Sequence, residues 1–270
     1  MNAIRHTVRP LALLLALALA APALARQAAD AQKPFEPQVG QAGKDVVWVP
    51  TPQVLVERML DMAKVTPQDF LMDLGSGDGR TVITAAKRGI RALGIEYNPD
   101  MVALSRKNAA AARVSDLARF EEADLFETDL SKAQVITMFL LPSINMKLRP
   151  TLLNLKPGTR IVSNSFTMED WQPDETQTVD DGCESWCTAH LWIVPAKVEG
   201  AWQLDQGTLT LSQQFQRFTG TLDRAPIDEG RLRGAEISFR VGDTRYTGTV
   251  NGNRMGGTTS TGASWSATKR

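Results

Sequence analysis

Between residues 70 and 195, short apolar runs alternate with stretches of helical periodicity. A chain patterned this way buries both kinds of element most simply as a parallel sheet covered by helices. Residues 70–74, 91–96, 118–122, 133–140 and 159–163 read as successive strands, and 191–194, with Trp192, as a late strand near the sheet edge. Residues 81–88, 99–112 and 144–153 read as helices, the first closed by Gly89 at its C-terminal cap. Ahead of them, Thr51 offers an N-cap and Pro52 a first-turn proline for a helix carrying Val54, Leu55, Met59, Leu60 and Met62.

From Gly200 the texture changes to short alternating runs at 208–211, 215–222, 236–241, 246–250 and 265–268, divided by glycines and polar turns. Without helical segments between them, these strands predict a small antiparallel sheet or partial barrel of about 70 residues. The expected organisation is an α/β domain over 46–198, Rossmann-like in its sheet, followed by an all-β domain over 199–270. Hydrophobic residues at 43% and charged residues at 22% supply enough apolar material for both cores.

Arg5 and Arg9 precede an apolar run over 11–21, and Ala23-Leu24-Ala25 follows with the small residues of a cleavage site. Residues 1–25 therefore read as a signal peptide, and the expected location is secreted or periplasmic. The run is shorter than the roughly 20 apolar residues of a spanning helix. Tethering by an uncleaved segment is the alternative, and cleavage would leave no stable membrane span. Residues 26–45, polar with Pro34 and Pro37, read as a linker. Thirty Lys and Arg balance thirty Asp and Glu. No basic field is available to neutralise phosphates, so nucleic acid is not an expected partner.

Asp73-Leu74-Gly75-Ser76-Gly77-Asp78-Gly79-Arg80 joins the first strand to its helix. In a parallel sheet this is the position where ligands bind, beyond the carboxyl ends of the strands. A dinucleotide fingerprint would place glycine at position 80, where this chain has Arg80, and Asp73 and Asp78 would repel a pyrophosphate. The same carboxylates suit a ligand carrying an amine and a sulfonium. Glu96 ends the second strand, 23 residues after Asp73, placed to accept two ribose hydroxyls. Asp124 follows the third strand, placed to accept an adenine amino group beside the apolar walls of Leu125 and Phe126. Together these imply S-adenosylmethionine as cofactor, with Ser76 and Gly79 completing the loop.

On these residues the sequence resembles the class I S-adenosylmethionine-dependent methyltransferases. More narrowly, the segment 73–80, Gly94-Ile95-Glu96-Tyr97-Asn98-Pro99 and Trp171-Gln172-Pro173-Asp174 look like the lysine methyltransferases of the ATP synthase c subunit and their bacterial relatives. The resemblance covers roughly 46–195. It implies that Asp73, Gly75, Gly77 and Glu96 hold the cofactor with Asp124 at the adenine, and that a protein side chain such as lysine is the acceptor. A second class of function stays open, an exported adenosyl-ligand-binding module without turnover, whose β domain engages a partner or glycan.

Methyl transfer needs alignment and exclusion of water more than a dedicated nucleophile, so no catalytic side chain is assigned. Leu141, Pro142 and Asn145, leaving the fourth strand, are the expected substrate-facing residues; the alternative is that Pro142 merely starts a helix and Asn145 is exposed. An Asn-Pro-Pro-Tyr motif of amino-methylating DNA enzymes is absent. The segment Trp48-Val49-Pro50-Thr51-Pro52 reads equally as a lid or a helix entry. Trp171 and Trp186 read as channel wall or as packing. Cys183 and Cys187 can close a disulfide in an oxidising compartment. With His190 they make only three potential ligands, and no metal site is expected.

Overall fold

The computed structural model describes residues 35–270, so the leader over 1–25 lies outside the described residues. Seven strands form the first sheet: β1 (Phe70–Leu74), β2 (Arg91–Glu96), β3 (Ala118–Glu122), β4 (Val135–Met138), β5 (Arg160–Asn164), β6 (Glu175–Thr178) and β7 (Thr188–Ile193). Their order is β3-β2-β1-β4-β5-β7-β6, with β7 antiparallel to both β5 and β6 and the first five strands parallel. The order reverses at β1, which has β2 on one side and β4 on the other. This is the switch point where the loops leaving β1 and β4 diverge and open a crevice.

Helices α1 (Gln53–Met62), α2 (Arg80–Lys87), α3 (Pro99–Ala111) and α4 (Pro142–Leu153) cover the sheet. Leu55, Val56, Met59 and Leu60 of α1 recur at helical spacing and pack with Val82 and Ala85 of α2 and Val102 of α3 into one core. Ile144, Leu148 and Leu152 of α4 join Met72, Leu74, Ile136 and Met138 in a second. Gly89 follows α2 at φ +81°, as its C-terminal position requires. The N-cap of α1 is Pro52, not Thr51, and no side chain caps it. The Thr51 hydroxyl accepts from Asn164 Nδ2 at 3.3 Å instead, and its carbonyl accepts from Arg80 Nη1 at 3.0 Å.

The sheet edge lies at β6 rather than at β7, which extends from Thr188 to Ile193. Gly40–Trp48, Trp48–Gln41 and Gly43–Val46 backbone hydrogen bonds fold the segment before α1 into a strap, although it lacks periodicity.

Eight antiparallel strands form a closed barrel: β8 (Gly200–Leu204), β9 (Gly207–Gln214), β10 (Arg217–Leu222), β11 (Ala225–Arg233), β12 (Glu236–Val241), β13 (Thr244–Asn251), β14 (Arg254–Thr259) and β15 (Ser264–Lys269). Pairing of Ala267 with Leu204 completes the ring, which removes every open edge. Alternate residues point inward, and Trp202, Phe218, Phe239, Tyr246 and Trp265 fill the interior with rings, Phe239 stacked on Tyr246 at 4.7 Å. The barrel is a packed core.

The segment Trp171–Asp174 joins barrel to sheet. Trp171 is fully buried and stacks on Phe215 at 5.9 Å; Gln216 Nε2 donates to the Gln172 carbonyl at 2.7 Å. The Asp174 carboxylate, its side chain inaccessible to solvent, accepts from Arg231 at 2.9 Å and from the Ile193 amide at 2.9 Å. Trp171 is therefore packing and not channel wall. Trp171→Ala is expected to lower stability by about 3–5 kcal/mol in urea unfolding, whereas Trp186→Ala, at a partly exposed site, should lower it by less than about 1 kcal/mol.

Candidate active site

Beyond the carboxyl ends of β1, β2 and β4 lies a cleft of about 220 Å³. Asp73, Gly75, Ser76, Gly77 and Asp78 form its floor, and Glu96, Asp124 and Leu125 stand on one side. The strap over 41–51 and Leu140 and Leu141 stand on the others. Gly79, Pro142 and Asn145 do not reach the wall. Gly79 has φ +83° at the N-cap of α2, and a Cβ there would lie 2.8 Å from the Phe120 ring, so it serves the helix entry. Pro142 is the first residue of α4 and points to solvent. Asn145 is wholly buried, its Nδ2 donating to the carbonyls of Phe166 and Thr167 at 3.4 and 3.3 Å. Of the three residues expected to face substrate, only Leu141 lines the cleft.

The glycine loop directs its donors inward. The amides of Gly75 and Ser76 both donate to the Ile95 carbonyl, at 2.9 and 3.0 Å, and the Gly77 amide donates to Glu96 Oε2 at 2.9 Å. A phosphate would therefore find carboxylates and occupied amides here, which is the physical reason a dinucleotide does not suit this loop. Ser76 contributes main chain to the floor. Its hydroxyl turns back against Gly94, where a Cβ would lie 2.5 Å away, and finds no hydrogen-bond partner. Gly77 holds φ +54°, and the Trp48 indole lies close enough that a Cβ would sit 2.6 Å from Nε1. Trp48 therefore reaches over the glycine loop from the strap.

The four acids differ in their partners. Asp78 is paired with Arg80 at 2.6 Å, and Asp124 with Lys44 at 2.6 Å. Lys44 also lies over the Tyr97 ring, 4.4 Å from its centroid. That hydrogen bond to Asp124 raises the Lys44 ammonium and holds the Asp124 carboxyl below its usual range. Glu96 is oriented by main chain alone, Oε1 accepting from the Asn98 amide at 3.0 Å and Oε2 from Gly77. Asp73 is buried, with the Thr137 hydroxyl donating to Oδ1 at 2.6 Å. Among the described residues no cation pairs with Asp73 or Glu96. Burial pushes the Asp73 carboxyl up to about 7, the negative charges of Asp78 and Glu96 add to the rise, and the Thr137 hydrogen bond opposes it.

The unpaired acids therefore suit a cation, and the apolar Leu125, Leu140 and Met101 beside them suit a nucleoside. The class defined by this sheet order, switch-point cleft and acid set is that of the class I S-adenosylmethionine-dependent methyltransferases. Comparison with known proteins narrows it. Residues 73–175 match the model of the ANTKMT methyltransferase domain. The chain is 42% identical over 152 residues to a protein-lysine N-methyltransferase of Saccharolobus islandicus (strain REY15A), covering 55% of this chain and 94% of that protein. It is 38% identical over 120 residues to the adenine nucleotide translocase lysine N-methyltransferase of Mus musculus, covering 44% of this chain and 52% of the mouse protein. Among solved structures, an RNA methyltransferase from Salinibacter ruber in complex with S-adenosyl-L-homocysteine shares 49% identity at a TM-score of 0.52, covering 56% of this chain and 96% of that one. The chain thus spans nearly all of the archaeal relative and about half of the mouse one. It belongs to this methyltransferase family and is an S-adenosylmethionine-dependent methyltransferase.

Of the two readings of Trp48–Pro52, lid and helix entry, both hold in part, since Trp48, Val49, Pro50 and Thr51 line the cleft and Pro52 caps α1; sequence reasoning missed the extension of this wall back to Gln41 and the pairing of Lys44 with Asp124, 80 residues apart. The Cys183–Cys187 disulfide brings Trp186 to the cleft, while His190 meets Thr176 Oγ1 at 2.9 Å on the sheet.

Asp73 carries a clear test. Its folded value lies above the ordinary 3.8, so its ionisation opposes folding, and this part of the stability is lost as pH rises through about 7. Carboxyl ¹³C NMR should show Asp73 titrating near that value and higher still in Thr137→Val. Asp73→Asn should flatten the loss of stability between about pH 4 and pH 7, the interval between the ordinary and the folded value, and leave the profile above it unchanged.

Proposed function

We propose that the chain methylates lysine side chains of proteins outside the cytoplasm, with Asp73, Gly75, Gly77, Glu96, Asp124 and Leu125 holding the cofactor. When bound, S-adenosylmethionine supplies a methyl group carried on a sulfonium. The observation that carries the reading is the pair of cation-free carboxylates, Asp73 and Glu96, set among apolar walls at the switch point. Asp73, at the end of β1, faces the ligand's positive charge. Glu96, both of its oxygens fixed by main-chain amides, would accept the vicinal hydroxyls, and Leu125 on the cleft wall would supply an apolar surface for the base. Asp124 takes the base's amino group once Lys44 releases it.

A protein acceptor is supported by the lysine-modifying relatives and by the cleft mouth. Asp180, Asp181 and Glu184 are exposed on the loop that carries Trp186, and such a rim attracts a lysine-bearing segment while repelling phosphates. The name of the Salinibacter relative makes RNA the competing acceptor. Exchange of protons with water at the open mouth leaves the acceptor amine free to lose its proton without a dedicated base.

The arginine-flanked apolar run ending at Ala25 supports export with a cleaved leader, and the Cys183–Cys187 disulfide is the chemistry of an oxidising compartment. Among the described residues no helix is long and apolar enough to cross a membrane. Mass spectrometry of the exported protein should find Arg26 as its first residue; an intact Met1 would favour tethering.

Purified protein incubated with labelled S-adenosylmethionine and a cell-envelope extract should place label on protein lysine. Label on RNA alone would sink this reading. Calorimetric affinity for the cofactor should rise about fivefold from pH 6 to 7 as Asp73 ionises, about twofold more to pH 8, and level off above. Glu96→Gln should weaken binding by at least about tenfold, the loss of a charged acceptor.

A further inference from the structure

Three aromatic rings meet where the cleft opens beside the disulfide loop. Phe139 follows β4, Phe166 follows β5, and Trp186 lies between Cys183 and Cys187; all three line the cleft. Their centroids are 6.0, 5.6 and 5.4 Å apart, with ring planes inclined by 24°, 58° and 47°. Phe139 and Phe166 are stacked, and Trp186 is tilted against both, so the three rings meet at an angle on the cleft wall.

Phe166 and Trp186 are each held by their own constraint. The Phe166 carbonyl accepts from Ser163 Oγ at 2.7 Å and from buried Asn145, and Ser165 just before it has φ +57°. Trp186 has φ +58°, a left-handed conformation that a bulky residue seldom adopts, inside a five-residue loop closed by the disulfide. That geometry keeps an indole 43% exposed at the cleft mouth when burial against the neighbouring sheet would be the ordinary outcome. On the same segment stand Asp180, Asp181 and Glu184, all exposed and, among the described residues, in no ion pair. Ring faces carry negative quadrupole charge, and a carboxylate rim adds long-range attraction, so both select a cation over a neutral apolar group.

We propose that Phe139, Phe166 and Trp186 form the acceptor port, which receives an alkylammonium group and its methylated products, and that the Cys183–Cys187 disulfide fixes Trp186 within it. This rests on the lysine reading above and names residues for it. The family match ends at residue 175, before Trp186 and both cysteines.

The test titrates the full oxidised protein, saturated with S-adenosylhomocysteine, with choline and with its uncharged carbon isostere dimethylbutanol. The reporter is the indole N–H resonance of Trp186, assigned by its loss in Trp186→Phe. Choline should shift this resonance saturably, at least about fivefold more tightly than the isostere does, in the range of a cation–π contact. The Phe139→Leu/Phe166→Leu double variant should lose the response. Cys183→Ser/Cys187→Ser should weaken it about fivefold, as should reduction of the unaltered protein, which replaces the leucine variant if that one does not fold. Equal response to the isostere, or none to choline while calorimetry still records S-adenosylhomocysteine binding, overturns the port. An undiminished response after reduction overturns the role of the disulfide. The readout is independent of methyl incorporation, so label on RNA alone would fell the lysine reading while this titration still decides whether the port takes a cation.

Discussion

The site depends on one uncomfortable placement: a carboxylate buried at the end of the central strand with only the side chains of Thr137 and Thr81 to hydrogen-bond it. Asp73 lies between Met72 and Leu74, whose side chains enter the core, so strand alternation fixes where its own side chain goes. Thr137, paired with Asp73 in register on β4, is the residue that meets it. Nothing cationic offsets the burial, and the carboxyl responds by holding its proton up to about 7. A fold that keeps an unpaired acid at this position retains a destabilising charge, which a positively charged ligand relieves. Neighbouring geometry is organised around the same demand. The glycine loop turns its amides inward, toward the Ile95 carbonyl and Glu96, so that no donor competes for the space above Asp73.

The strap adds a second layer of control. Lys44 sits against both Asp124 and Tyr97, joining the strap to the nucleoside side of the cleft through one flexible side chain. Both groups of the ion pair are partly open to solvent, so the contact is weak and salt-sensitive. Weakness is what a closure over a binding site needs, because on the proposed reading, with the base at Asp124, the pair must part on binding. Trp48, at the other end of the strap, covers Gly77 by shape, a contact insensitive to salt. The strap is thereby anchored at one end by packing and latched at the other by charge.

How far the sequence disclosed this depended on how local each signal was. Residues 70–74 and 91–96 matched their strands to the residue, because an apolar run bounded by polar turns announces itself within a few positions; 118–122, Ala-Arg-Phe-Glu-Glu, matched as well on the weaker signal of alternating Ala118 and Phe120. β6, Glu-Thr-Gln-Thr, carries no apolar residue and is held as an edge strand by β7 alone, so no periodicity marks it. β11 hides in the same way behind Asp228, Glu229 and Arg231, and β14 behind Gly256 and Gly257. Asp73, Glu96 and Asp124 were legible because strand ends can be counted. Asn145 was misplaced because its chain position after β4 is right, but helix rotation, set by burial of Ile144 and Leu148, turns its amide inside. Long-range partners such as Lys44 with Asp124 leave no local trace at all.

The barrel bears on function through what it does not do. Among the described residues, none of the strands from β8 to β15 contributes a side chain to the cleft. Its lumen is packed with its own aromatic rings. Its attachment is nevertheless firm, since a buried tryptophan stack, a main-chain bond from Ala196 to Gly234 and the Asp174–Arg231 pair all cross to it. A rigidly mounted, internally saturated barrel beside an enzyme cleft offers only its outer surface. The segment 171–174 that fastens it lies on the chain shortly before the acidic loop bearing Trp186. Mounting the barrel through that segment ties its orientation to β7 and, through β7, to β6 and the loop between them that reaches the mouth of the cleft.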